Sequence, residues 1–334
     1  MSDDLLLLEG RDLAVEYTRD AGLFAPKQVF RALDGVSFAL GTGESLAVVG
    51  ESGSGKSTLA RAALRLVPLA GGQVLLRGED LAILSPDELR QRRRDLQLIF
   101  QDPLACLDPR MRIAEILAQP LRAFEPTLDR AARRQRAAAA IEAVGLDAAM
   151  LDRYPHQFSG GQAQRIGIAR ALIVNPAVLV CDEPVSALDV SIRAQVLDLL
   201  AGERARRRLA LLFIAHDLSA VRFLCERTLV LYRGQVMEQG ATADVFAAPR
   251  HPYTRALLAA ALVADPRRAR RRPRGSAAPA PAVPAAAAAA TASSGTGCVF
   301  AARCAHVEAR CLAERPAPHA VDGVTVACHR AGTI

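Results

Sequence analysis

Eight residues constrain this chain more than any other segment. Gly50-Glu51-Ser52-Gly53-Ser54-Gly55-Lys56-Ser57 fits the pattern G-x-x-x-x-G-K-[ST]. An apolar run, Leu46–Val49, leads into it, and a segment with helical apolar spacing, Ser57–Leu66, leaves it before Pro68. Strand, glycine loop and helix in that order make a phosphate cradle. The glycines let the backbone curl so that its N–H groups converge on phosphate oxygens, and the helix start adds its dipole. A glycine turn at an ordinary helix start is the bland alternative, and the flanking elements tell against it. The residues expected to bind the triphosphate are Gly50, Glu51, Ser52, Gly53, Ser54, Gly55, Lys56, Ser57 and Thr58. Lys56 is expected to reach the β- and γ-phosphates, and the Ser57 hydroxyl to hold Mg²⁺. Composition supports Lys56: of 42 basic residues, only Lys27 and Lys56 are lysine. A chain that writes its cations as arginine has kept a compact ammonium here.

Two further segments gain meaning beside that loop. Val178-Leu179-Val180-Cys181-Asp182-Glu183 has the pattern of a buried strand ending in two carboxylates. Asp182 is expected to hold Mg²⁺, and Glu183 to act as the general base that polarises an attacking water. Alone, such a pair is more often an exposed turn. Phe158-Ser159-Gly160-Gly161-Gln162 precedes a helix over 160–173, with Ser159 a natural N-cap. It is either a plain cap with a Gly-Gly hinge or a second anion-binding helix terminus.

Apolar strands and helices alternate over most of the chain, which predicts an α/β body with a mostly parallel sheet. Prolines 103, 109, 120 and 126 punctuate helical segments between 102 and 158, the pattern of a helical insertion. Residues 265–296 are Arg-, Pro-, Ala- and Ser-rich and read as a disordered linker. The formal charge of +7 is concentrated there, with six arginines and one aspartate from Asp265 to Arg274. That weakens any inference of nucleic-acid binding, and no nucleic acid is expected. No stretch of about 20 apolar residues is present, and the acidic Met1-Ser2-Asp3-Asp4 is unlike a signal peptide, so a cytoplasmic chain is expected.

Taken together, these residues resemble the ATP-binding subunits of ABC transporters. The resemblance implies an α/β P-loop NTPase fold of the ABC ATPase kind, with a mixed sheet, a helical subdomain and a small Cys-rich C-terminal extension. Gly50–Ser57 looks like the Walker A loop, Gln101 the Q-loop, and Ser159–Gln162 the signature motif, with Phe158 replacing the commoner leucine. Asp182 and Glu183 look like Walker B and the catalytic glutamate, Ser186–Asp189 the D-loop, and His216 the H-loop histidine. The family's roles carried onto these positions make Glu183, His216 and Gln101 catalytic and place Ser57, Gln101 and Asp182 around Mg²⁺. Ser159, Gly160, Gly161, Gln162 and Asp189 are then expected at a nucleotide shared with a second ATPase subunit, a paralogue or the same chain. Tyr17 matches the adenine-stacking aromatic, with Phe24 a rival. The implied division is a RecA-like core over 1–101 and 159–250, a helical subdomain over 102–158, a C-terminal helix over 251–264, the linker, and a Cys-rich module over 297–334.

Phe100-Gln101-Asp102-Pro103, Tyr154-Pro155-His156-Gln157-Phe158 and His251-Pro252-Tyr253-Thr254 narrow the resemblance to oligopeptide/dipeptide importers. Ser54 and Ala163 depart from that branch's commoner residues. The branch implies two membrane permease subunits, an extracytoplasmic solute-binding protein, and a peripheral place on the cytoplasmic face of the inner membrane. Nickel or glutathione import, or a soluble ATPase acting on ribosomes or DNA, are the alternatives. Cys298, Cys304, Cys311 and Cys328 lack the C-x₂₋₄-C knuckles of structural zinc. Wider spacing suits an iron–sulfur cluster, and the resemblance also implies a [4Fe–4S] group there. Zinc, with help from His306, His319 or His329, stays open, as do four unrelated thiols.

Overall fold

The computed structural model describes residues 6–19, 28–186, 188–263 and 296–333. Phe24 and all but the last residue of the expected linker lie outside them. β1 (Leu6–Arg19) and β2 (Gln28–Gly41) pair antiparallel, and β3 (Ser45–Val49) runs into the glycine loop and α1 (Lys56–Ala63). β4 (Gly71–Leu76), β5 (Glu79–Asp80), α2 (Pro86–Arg92) and β6 (Leu96–Ile99) follow. Next come α3 (Ile113–Phe124), α4 (Arg130–Ala143) and α5 (Gly160–Leu172). The alternation resumes with β7 (Val178–Asp182), α6 (Val190–Arg207), β8 (Ala210–Ile214), α7 (Leu218–Leu224), β9 (Arg227–Tyr232) and β10 (Gln235–Ala241). α8 (Thr242–Ala247), α9 (Pro252–Val263), α10 (Ala309–Ala313), β11 (His319–Val321) and β12 (Val324–Val326) complete the order.

Two sheets organise these elements. A four-stranded antiparallel sheet runs β2-β1-β4-β5, and an eight-stranded mixed sheet runs β11-β12-β10-β9-β3-β8-β7-β6. The central strands β9, β3, β8, β7 and β6 are parallel. The period-2 alternation of β3 divides the core. Leu46 and Val48 join Leu59 of α1 and the small sheet in one buried cluster, and Ala47 and Val49 join the helices of α3, α5 and α6 in the other. Each such fully buried Val or Leu contributes about 1.5–3 kcal/mol, so the loop springs from a strand buried on both faces. The four-stranded sheet is a separate antiparallel layer within the part expected to be a RecA-like core.

Pro120 does not break a helix as its type suggests; it lies inside α3. An interior proline costs roughly 3 kcal/mol. Ile113, Ile116, Leu117 and Leu121 of the same helix are all fully buried, which outweighs that loss.

The C-terminal segment extends the main sheet. β12 pairs antiparallel with β10, Val326 opposite Glu238, and β11 pairs with β12. Three ion pairs join the segment to the body: Arg303–Glu51 at 2.7 Å, Arg315–Asp34 at 2.9 Å and Arg250–Asp322 at 2.7 Å. Exposed ion pairs add little on their own. The buried Phe300, Val324 and Val326 supply the apolar attachment.

Candidate nucleotide site

The glycine loop keeps its shape because side chains do not fit. A Cβ on Gly50 would lie 2.2 Å from the Leu231 carbonyl oxygen, and one on Gly55 would lie 2.6 Å from that of Ala32. Gly55 also has φ of 107°, a left-handed conformation. Inside the loop, Lys56 Nζ donates to the carbonyls of Gly50 and Glu51, both at 2.9 Å. Burial lowers its pKa, and the nearby charges of Glu183, Asp182 and Glu51 act in the opposite direction.

The strand end meets the loop as the sequence predicts. Ser57 Oγ donates to Asp182 Oδ1 at 2.9 Å, although 125 residues separate them. Burial raises the Asp182 carboxyl, Glu183 adds to the rise, and the Ser57 hydrogen bond opposes it. A hydroxyl beside a carboxylate is a hard-oxygen pair of the kind Mg²⁺ takes with phosphates, so these residues fit the metal. Glu183 has φ of 48°, a strained conformation for a residue with a side chain. Its carboxylate accepts from Gln101 Nε2 at 3.0 Å and lies 3.5 Å from His216 Nδ1. The three expected catalytic side chains therefore meet.

An open cleft of about 340 Å³ is lined by Lys56, Ser57, Thr58, Gln101 and Glu183, and by the loop residues Ser52, Gly53 and Gly55. Tyr17 lines it too, together with Phe30, which the sequence reading missed. The two rings sit on directly opposed residues of β1 and β2, and Phe30 is 57% exposed. The N-terminal half of β2, which pairs with β1 from Gln28 onward, is what delivers Phe30.

The second helix terminus stands apart. Ser159, Gly160, Gly161, Gln162 and Asp189 do not line this cleft. Ser159 caps α5 in a reciprocal box, its Oγ accepting from the Gln162 N–H at 3.4 Å and its own N–H donating to Gln162 Oε1 at 3.1 Å. Ser159 and Gly160 are exposed. Gly161 is buried, and a Cβ there would lie 2.4 Å from Cγ2 of Ile192. Asp189 is the exposed N-cap of α6. Arg193, also unforeseen, ties this region to the histidine loop: it pairs with Asp217 at 2.7 Å and donates to the Leu188 carbonyl.

Cys298, Cys304, Cys311 and Cys328 line one small cavity, of about 10 Å³, with His251, His306 and His329. All four are free thiols. Burial pushes Cys298 up to about 11 and raises Cys304 and Cys328. Among the described residues, no three His, Cys, Asp or Glu side chains form a group able to hold a single metal ion. His319 does not line the cavity.

Known proteins decide the family. Residues 33–186 match the ABC transporter family, and residues 237–311 match the oligopeptide/dipeptide transporter C-terminal region. The chain is 45% identical over 314 residues to the oligopeptide transport ATP-binding protein OppF of Haemophilus influenzae, covering 93% of this chain and 92% of that one. It belongs to the ABC transporter ATPases. The Salmonella typhimurium OppF is 46% identical over the same 314 residues, again with 93% and 92% covered. Among solved structures, the dimeric ATP-binding cassette MJ0796 in a post-hydrolysis state bound to ADP and Pi superposes with a TM-score of 0.64. That match has 28% identity and covers 71% of this chain and 99% of that one. The ABC ATPase is thus an ATP-hydrolysing α/β protein that works with membrane permeases. Among its described residues, no helix is long and apolar enough to cross a membrane.

Proposed function

We propose that this chain is the ATPase subunit of an importer for oligopeptides or dipeptides, peripheral to the cytoplasmic face of the inner membrane. The observation that carries the site assignment is the convergence of Gln101 and His216 on Glu183 beside the loop of Lys56 and Ser57. In this reading the loop N–H groups and Lys56 grip the triphosphate, and Tyr17 with Phe30 wall the adenine. Ser57, Asp182 and Gln101 hold Mg²⁺, which supplies positive charge to the phosphates. Glu183 takes a proton from the attacking water, and Gln101 and His216 orient that carboxylate and the γ-phosphate.

Ser159–Gln162 and Asp189 serve the site of a second ATPase subunit in a head-to-tail pair. The exposure of Ser159, Gly160 and Asp189, none of which lines the chain's own cleft, supports that reading. Residues 102–158 form the helical subdomain that passes closure to two permeases, which take solute from an extracytoplasmic binding protein. Only 57 residues separate Gln101 from Ser159. That is too short for the long coiled coil of DNA-repair relatives and favours the transporter over the soluble alternative.

The four cysteines are proposed to hold a [4Fe–4S] cluster. Their wide spacing in sequence and their shared place along one small cavity support that reading. The cluster's role is structural, pinning a short segment with little core of its own.

The test is reconstitution of the chain in vesicles with the membrane permeases that co-purify with it, followed by ATP-dependent uptake of a radiolabelled tripeptide against nickel and glutathione. Uptake of the peptide supports the reading. Uptake of nickel or glutathione alone reassigns the solute, and association with ribosomes or DNA in place of permeases overturns the transport role.

A further inference from the structure

The phosphate loop is held from outside by the Cys-rich segment. Arg303 lies in the turn between Cys298 and Cys304. Its guanidinium grips the Glu51 carboxylate with two parallel hydrogen bonds, Nη1 to Oε2 at 2.7 Å and Nη2 to Oε1 at 2.8 Å. Glu51 is the second residue of the loop, and its N–H, its carbonyl and both carboxylate oxygens are engaged. Its N–H donates to the hydroxyl of Tyr253, a fully buried residue of α9, at 2.8 Å. Its carbonyl accepts from Lys56 Nζ at 2.9 Å.

The support behind Arg303 is rigid. Its guanidinium carbon lies 5.7 Å from the Tyr232 ring centroid and 5.8 Å from that of Phe300. Those two rings lie 5.4 Å apart between centroids, and both pack on Tyr253, Tyr232 at 4.6 Å and Phe300 at 5.4 Å. Phe300 also lines the cysteine cavity. One aromatic cluster therefore reaches the cysteine-lined cavity through Phe300 and holds the arginine. A planar fork meeting a carboxylate fixes orientation as well as distance.

We propose that Arg303 is a positioning residue of the ATP site, through which the Cys-rich segment holds the phosphate loop by Glu51. Arg303 touches neither the triphosphate nor the attacking water. It fixes the residue whose carbonyl competes for Lys56, and it neutralises a carboxylate borne by the loop that must receive a polyanion. ATP affinity therefore depends on the cysteine segment being docked. This rests on reading residues 50–57 as the ATP loop.

The test uses the full chain and measures equilibrium binding of a fluorescent (N-methylanthraniloyl) ATP, with KM and kcat for ATP hydrolysis. Arg303→Met is expected to raise the Kd and KM about 2–5-fold, the range an exposed but well-formed ion pair spans, with kcat within about twofold. Arg303→Lys recovers part of the affinity. In a Glu51→Gln background, Arg303→Met has no further effect, because the ion pair that links it to the loop is gone. Arg315→Met, which removes a different pin of the same segment, leaves KM unchanged.

An unchanged KM in Arg303→Met overturns the proposal. So does an equal rise in Arg315→Met, which would reduce Arg303 to general attachment, or independent multiplication of the Arg303 and Glu51 effects. If Arg303→Met does not fold, the comparison of Glu51→Gln with Glu51→Gln/Arg303→Lys carries the same test. Wild-type protein that fails to bind the analogue would overturn the ATP-loop reading itself; wild-type binding lost in Lys56→Ala keeps that reading and isolates the question of Arg303.

Discussion

Gln101 Nε2 and Glu183 Oε2 lie 3.0 Å apart, although 82 residues separate them in sequence. The pair joins the end of β6 to the end of β7, neighbouring parallel strands. A residue at the entrance to the helical region thus has direct hold of the proposed general base. Movement of the segment after β6 and the readiness of Glu183 are mechanically one event.

Glu183→Gln tests the base. The amide keeps the shape and the bond to Gln101 but cannot take a proton. Turnover is expected to fall by about 10²–10⁴-fold while ATP binding persists. Gel filtration with Mg-ATP should then show a stable closed pair. Near-normal hydrolysis by this variant would remove Glu183 from that role.

Lys56→Ala tests the cradle. Losing charge-assisted hydrogen bonds to phosphate costs about 1.5–3 kcal/mol. Calorimetry should therefore show ATP affinity lowered by roughly 10–100-fold, and unchanged affinity would contradict the loop assignment.

Tyr17→Ala and Phe30→Ala separate the two cleft aromatics. Stacking on a base is worth about 1–3 kcal/mol per ring. Each variant should raise KM for ATP several-fold, with kcat little changed. A variant whose KM for ATP stays at the wild-type value identifies a ring that does not meet adenine.

The pin at Asp34 gives a pH-dependent stability. Burial alone would raise its pKa, but the hydrogen bond from Arg31, the charge of Arg315 and the hydrogen bond from Gln235 outweigh it and hold the carboxyl below its ordinary value. A depressed acid contributes stability that is present above its unfolded pKa and is lost as pH falls through its folded one. Asp34→Asn should therefore melt lower than wild type by a nearly constant margin from pH 5 to 8. The margin should close below about pH 4, the ordinary carboxylate range. A gap that widens in acid would contradict the sign.

The cysteine cavity makes a chemical prediction. Anaerobically purified protein should carry iron and acid-labile sulfide, with a broad visible absorbance that dithionite bleaches. Removing the iron by chelation under oxidation should lower the melting temperature. A colourless, iron-free protein with the same melting curve would refute the cluster.

The nucleotide site was legible because its signals are local. The glycines and the lysine are read within one short stretch and the two strand-end carboxylates within another, and β3 and β7 are continuous apolar runs. What escaped was set by distant contacts. Phe30 lies in a stretch with weak strand alternation and belongs to β2 because β1 pairs with it along its length. Pro120 looked like a break because local propensity omits the burial of its neighbours. Arg303 is one arginine in an arginine-rich chain, and only its approach to Glu51, 252 residues away, distinguishes it. Val324–Val326 is too short to announce a strand; its partner β10 confers that identity.

That last pairing also decides how the molecule ends. Without β12, the backbone of β10 would present unsatisfied amides and carbonyls along an open border, an invitation to other chains. The terminal hairpin closes that border and leaves β11 outermost, three residues long and bearing the exposed His319 and Ala320. Proteolytic loss of the last forty or so residues would thus strip away a guard against fibre-like self-association along with the thiols.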